Sequence, residues 1–205
     1  KVGMSGGGVV FRLISRLSKK VYQESDWIHV TSRPFIDFIH VTHDVPYERI
    51  AYVPQHAEDV YLSEDFTPID HDGVNFLFAG NVGTAQDMDC IIDACTQLKD
   101  VAEWKMHIVG DGSYLDATQE LVRINGLESF FEFYGRRLIT EMPAFYKMAD
   151  ACIVTLKHDN EVGLTLPSKL QSYIAAGKPI IGAIDGAAQD VIGESGCGVC
   201  VPAGD

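Results

Sequence analysis

Leu164-Thr-Leu-Pro-Ser-Lys-Leu-Gln-Ser-Tyr-Ile-Ala-Ala-Gly-Lys-Pro-Ile-Ile-Gly182 reads as a helix that hands a tight turn to a buried strand. Pro167 and Ser168 suit a helix entrance, Leu170, Tyr173 and Ile174 recur at helical spacing, and Gly177 stands where a left-handed cap belongs. Lys178 and Pro179 stop the helix, and Ile180-Ile181 opens an apolar run typical of strands covered on both faces. A helix entered at the lip of a parallel sheet carries free amides and the positive end of its dipole, a setting for an anion. Lys169 adds a positive charge in that first turn, so the stretch is expected to face a phosphate-bearing ligand. A helix-to-strand packing unit with no ligand has much the same pattern.

Outward from this stretch the same unit repeats. Residues 76–79, 106–109, 130–134, 151–156, 180–184 and 198–201 read as strands, and 84–98, 114–124, 141–148 and 187–193 as helices. Strand-helix alternation with short loops predicts an α/β fold, a Rossmann-like doubly wound parallel sheet whose ligands collect beyond the carboxyl ends of the strands. Upstream, 9–23 is an amphipathic helix with Arg12, Arg16, Lys19 and Lys20 on its polar side, 27–31 is a strand, Ser32 and Pro34 start a helix through 39, and 50–53 is a strand ended by Pro54. The expected organisation is a partial α/β segment at 1–53, a connector at 54–73 that is rich in acids and without helical period, and a complete α/β domain at 74–205.

Bulk properties narrow the classes. The 205 residues suffice for one full core and part of a second, and a chain that opens on Lys1 and stops at Gly204-Asp205 is read as a piece of something longer. A formal charge of −13 argues against nucleic acid as a partner. Five cysteines spread through helices and strands favour a reducing, cytoplasmic compartment over a disulfide framework. No apolar run approaches the roughly 20 residues of a membrane helix, whereas the basic helix at 9–23 is of a kind that rests on acidic membranes.

Three loops after strands carry glycine: Gly80-Asn81-Val82-Gly83 followed by Gln86, Gly110-Asp111-Gly112, and Gly135-Arg136. Glycine lets backbone approach a ligand and also suits any tight turn; no G-x-G-x-x-G is present, which demotes a dinucleotide cofactor. Asp87-Met-Asp89 has the spacing of a diphosphate-bound metal site but falls in a helix start, where acids are favoured without a metal. Cys197 and Cys200 have redox or zinc spacing without a second pair, and no metal is expected. In the polar loop after 156, Glu161 is a candidate acceptor of sugar hydroxyls and His158 a candidate acid or base, while His56 and Glu58 open the connector beside the cleft.

Taken in order, Phe78-Ala-Gly-Asn-Val-Gly83 with Gln86, Val109-Gly-Asp-Gly112, Tyr134-Gly135, Ala149-Asp-Ala151, Pro167-Ser-Lys169, Ala175-Ala-Gly-Lys-Pro179 and Val201-Pro-Ala-Gly-Asp205 resemble the family 4 retaining glycosyltransferases of GT-B fold. That family includes bacterial enzymes that build capsule and O-antigen polysaccharides. The resemblance implies that 74–205 is the carboxy-terminal nucleotide-sugar-binding domain and 1–53 the end of the acceptor-side domain. It implies that 80–83 approach the diphosphate, that Gly110, Asp111 and Gly112 lie by the donor cleft, that Gly135 and Arg136 meet the base, and that Pro167, Ser168 and Ser172 line the pocket. The family often has two glutamates where this chain has Leu164 and Ser172, with Glu161 displaced toward the amino terminus, and the cations usual between 81 and 86 are missing. Lys169 or Arg136 is left to supply charge, and Glu161 and Lys169 are the candidate catalytic pair.

The resemblance implies transfer of a hexosyl group from a nucleotide-sugar donor, UDP-based, to a glycan or lipid-linked acceptor, with retention, no obligatory metal and no further cofactor. The location implied is cytoplasmic with peripheral contact at the inner membrane, and little turnover is expected from this stretch alone. The alternatives are a non-catalytic nucleotide-sugar-binding module and a nucleotide-sugar epimerase of the same architecture.

Overall fold

A computed structural model describes residues 8–158 and 162–205. The chain divides into two compact units, Lys1–Gln55 and His56–Asp205.

In the first unit, α1 (Val9–Glu24) is followed by β1 (Ile28–Val30), α2 (Pro34–His43) and β2 (Ile50–Tyr52), with the two strands parallel. Pro34 occupies the first turn of α2, where its missing N–H costs nothing, and Asp44 in the left-handed region ends the helix. Ile28, Val30, Ile39, Val45 and Ile50 form the core, against which Tyr22 and Phe35 pack. None of the residues of α1 is buried, and Val9, Leu13, Leu17 and Val21 are more than half exposed.

The second unit is built on six parallel strands: β3 (Val74–Ala79), β4 (Trp104–Val109), β5 (Phe131–Gly135), β6 (Ala151–Thr155), β7 (Ile180–Ala183) and β8 (Gly198–Val201). They lie in the order β5-β4-β3-β6-β7-β8. The helices are α3 (Met88–Leu98), α4 (Leu115–Ile124), α5 (Met142–Met148), α6 (Ser168–Ala175) and α7 (Ala187–Ser195). Successive strand residues point to opposite faces. Phe78 thus joins Met88, Ile92, Ile108 and Val122 in one core, while Leu77 joins Tyr146, Leu170, Tyr173 and Ile192 in another. This is the doubly wound sheet expected of 74–205.

The chain winds outward from β3 to β5, then crosses to the other side of β3 for β6, so the switch point lies between the carboxyl ends of β3 and β6. Their pairing stops at Leu77↔Cys152, and beyond it the strands diverge. The exposed ladder positions are filled from α6: the Tyr173 hydroxyl accepts the Ala79 N–H at 2.8 Å and donates to the Ala79 carbonyl at 3.3 Å. Tyr173 is fully buried, which drives its hydroxyl pKa well up. Its replacement by phenylalanine leaves a buried amide unpaired, and a loss of about 1–3 kcal/mol is expected in urea unfolding.

Three local expectations are corrected. The helix expected over 84–98 is interrupted. A 3-10 turn at Thr84–Gln86 ends in Asp87 at φ 48°, and α3 starts only at Met88. The Thr155 hydroxyl donates to the Gln86 carbonyl, which takes that acceptor from the helix. The connector is also more ordered than its composition implies. From His56 it belongs to the second unit, a 3-10 turn forms at Asp59–Tyr61, and Tyr61 is only 4% exposed, edge-on to Tyr146 at 5.4 Å. Finally, the helix expected to end at 39 runs on to His43.

Candidate functional site

Two adjoining cavities open at the switch point. One, of about 320 Å³, is walled by Gly80, Asn81, Gln86, Pro167, Ser168, Lys169 and Ser172 together with Tyr61, Met142 and Tyr146. The other, of about 240 Å³, is walled by Gly80, Asn81, Gly110, Asp111, Arg136 and Arg137. Gly80 and Asn81 border both, so the two make one cleft across the ends of β6, β3 and β4, of a size for a nucleotide-scale ligand.

The loop after β3 is held by its own side chains. The Gln86 side-chain oxygen accepts the Gly83 N–H at 3.0 Å and an Asn81 amide N–H at 3.1 Å. Val82 is a correction to the expected contacts. Its side chain is fully buried, its N–H donates to the Asp111 carbonyl and its carbonyl accepts from Tyr114, so it anchors the loop and offers the cleft nothing. Gly83 is likewise buried and bonded within the loop. Gly112 and Gly135 shape the rim without lining it: the Gly112 N–H is taken by the Asp111 carboxylate, and the Gly135 carbonyl by the Gly110 N–H.

At the other wall, α6 begins at Ser168 after Pro167. The amides of Ser168 and Lys169 precede any intrahelical acceptor. The Lys169 stem borders the cavity, yet its Nζ is covered and has no hydrogen-bond partner among the described residues. It sits 3.4 Å from the centroid of the Phe78 ring and directly beneath Gly80, where an added Cβ would lie 3.1 Å from Cε. Burial pushes its pKa down to about 7. The ring face offsets only part of the lost hydration. A buried amine with no partner among the described residues is a candidate functional group.

Arg136 is exposed and makes no ion pair among the described residues, whereas Arg137 lies 3.8 Å from Glu141. Ser172 is 7% exposed and donates to the Glu58 carboxylate at 3.1 Å. Burial raises the Tyr61 pKa. Sequence reasoning named Glu58 and Ser172 separately and missed both their pairing and Tyr61. The recurrence of Ala57, Val60, Tyr61 and Phe66 through an acidic stretch was the available signal.

The remaining candidates are placed as follows. Glu161 lies outside the described residues. His158 is exposed, with Nδ1 at 2.7 Å from Asp185. The Asp185 carboxyl is held below its usual range first by the Ala203 N–H and then by His158. Asp89 accepts from the Tyr114 hydroxyl at 3.0 Å and pairs with Lys157 at 3.5 Å. Among the described residues no three His, Cys, Asp or Glu side chains are grouped to hold a metal.

Residues 73–205 match the family described as glycosyl transferases group 1. The chain is 24% identical over 214 residues to "Probable glycosyltransferase WbjE" of Pseudomonas aeruginosa, a match covering 96% of this chain and 51% of that protein. Among solved structures, HepE of Anabaena in complex with UDP superposes with a TM-score of 0.77 at 14% identity, over 95% of this chain and 55% of that one. WaaG, a glycosyltransferase involved in lipopolysaccharide biosynthesis, superposes with a TM-score of 0.76 at 15% identity, over 96% and 55%. At these identities the superpositions establish the shared GT-B fold. The chain spans about half the length of the curated relatives it matches.

Proposed function

The chain belongs to the glycosyl transferases group 1 family, and from that premise we propose that residues 74–205 bind a nucleoside diphosphate sugar, UDP-based, as the donor half of a family 4 retaining transferase. The observation that carries this reading is the covered Lys169 Nζ at the start of α6, under the Gly80 loop and without a hydrogen-bond partner among the described residues. A diphosphate seated there meets that amine, the first α6 amides and the glycine backbone at once. Such donors act most strongly where charge develops, on the departing diphosphate, and they need no metal. In this reading the bond from sugar C1 to the diphosphate breaks, the acceptor hydroxyl oxygen bonds to C1 on the same face, and its proton passes to the departing phosphate oxygen. Arg136 stands at the base end of the cleft. HepE was solved in complex with UDP. WaaG is involved in lipopolysaccharide biosynthesis. HepE, also solved with UDP-glucose, supports a hexosyl donor on UDP for this chain, and WaaG supports a glycan or lipid-linked acceptor.

Among the described residues no helix is long and apolar enough to cross a membrane. We assign residues 1–53 to the acceptor side, the working location to the cytoplasm, and peripheral membrane contact to the basic, apolar-faced α1.

Calorimetric titration with UDP and GDP tests the donor reading. The free Lys169 amine has a pKa of about 7, and a bound diphosphate raises it. Between the two values the complex holds more protons than the free protein. Affinity is therefore greatest below about pH 7 and falls as pH rises through that window. Titration at about pH 8 in buffers of different ionisation heat is expected to show uptake of roughly one proton. Binding with no uptake would remove Lys169 from the diphosphate, and no binding of either nucleotide at millimolar concentration would remove the donor site.

A further inference from the structure

We infer that Glu58, fixed by Ser172, recognises the ribose diol of the bound nucleotide, an assignment that rests on the donor-site reading. Ser172 is almost fully buried in the cavity wall, and its hydroxyl donates to one oxygen of an exposed carboxylate that arrives from a different part of the chain. That bond leaves the other oxygen and a remaining lone pair as acceptors. Among the described residues Glu58 has no cation partner to occupy them. Its placement is not left to a floppy connector, because Tyr61, in the next 3-10 turn, is driven into the core against Tyr146 and Phe66. The carboxylate is therefore pre-organised, with little side-chain freedom left to lose on binding.

Charge identifies the occupant. Lys169 and Ser172 stand three residues apart on α6, on neighbouring faces of one turn. Lys169 thus borders the cavity at the loop end and Ser172, about one helical turn along its wall, holds the Glu58 carboxylate. A second phosphate beside Glu58 would be repelled, whereas a pair of neutral hydroxyls would donate to it in charge-assisted hydrogen bonds. A nucleoside diphosphate has that sequence of groups, with the anionic diphosphate followed by the ribose diol.

The test is a calorimetric titration of the unaltered protein and Glu58→Gln with UDP and with 2′-deoxy-UDP, with thermal melting as the folding control. The unaltered protein is expected to favour UDP by about tenfold, the size of one good charge-assisted contact. Glu58→Gln is expected to erase that preference by weakening UDP alone. If the variant weakens both nucleotides equally, Glu58 is a tether for the connector and the inference is overturned, as it is if neither changes; in both cases the donor site stands. Failure of the unaltered protein to bind UDP overturns the donor reading and this inference with it.

Discussion

Lys169→Met is expected to raise the melting temperature of the ligand-free protein and to reduce its affinity for UDP at least about thirtyfold. The two effects have one cause. In the free protein the amine is covered and has no hydrogen-bond partner among the described residues, and this burial, which the Phe78 ring 3.4 Å away offsets only in part, drops its pKa from 10.5 to about 7. Below that value the folded protein carries a buried charge that the unfolded chain does not have to bury. The sign follows directly: between about pH 7 and 10.5 the unfolded chain holds the extra proton, so the burial penalty is full below pH 7 and fades as pH rises. Methionine fills similar volume without the charge, and replacing buried charge by a well-packed apolar group gains on the order of 1–3 kcal/mol. For a chain of this size that is about 2–10 °C, with the advantage shrinking toward pH 10. In the proposed donor site the same substitution removes a buried cation from the diphosphate, a truncation that costs on the order of 2–5 kcal/mol when the partner charge stays desolvated. A variant that melts lower at pH 6, or binds UDP as tightly as the unaltered protein, would sink the claim that stability is sacrificed at this position for the ligand.

Much of this architecture is legible locally. Leu170, Tyr173 and Gly177 define α6 by spacing alone, and the alternation of apolar runs with amphipathic stretches yields the sheet. What escapes is set by partners distant in sequence. The break at Asp87 depends on a hydroxyl from Thr155, which takes the Gln86 carbonyl. Nothing between 84 and 98 announces it. Val82 looks like one more residue of a ligand loop until Asp111 and Tyr114 claim its backbone and the core claims its side chain. The connector reads as solvated because acids are spread through it without a helical period, yet Ala57, Val60, Tyr61 and Phe66 dock on the core. The site itself was half visible: Lys169 as a charge at a helix start is a sequence inference, but its confinement beneath Gly80 follows only from how β3 and α6 meet. The family resemblance supplied the donor reading, and it flagged Ser172 as a departure without revealing that Glu58 sits against it.

Gly110→Ala is expected to destabilise the protein by about 2–5 kcal/mol and to abolish nucleotide binding in whatever fraction still folds. Gly110 has φ 145°, a region L side chains rarely adopt, and an added Cβ would lie 1.8 Å from the Gly80 carbonyl oxygen. The conflict is with backbone and cannot be relieved by a rotamer change. Neither loop is free to retreat: Gly80 N–H is bonded to the Val109 carbonyl at 2.8 Å, and Gly110 N–H to the Gly135 carbonyl at 2.9 Å. Backbone strain of roughly 1–3 kcal/mol and the loss of one or two ladder hydrogen bonds at about 1 kcal/mol each give the expected total. Binding fails for a separate reason, since Gly80 and Gly110 both wall the cleft and any relaxation that parts them changes the ligand's backbone contacts. Gly135→Ala is the control. It has φ 65° with nothing within 4 Å of its added Cβ, so it carries the strain of positive φ without the collision, about 1–2 kcal/mol. Urea midpoints for the two variants separate the causes. If Gly110→Ala costs no more than Gly135→Ala, the close approach of the β3 and β4 loops is not what holds the cleft in shape.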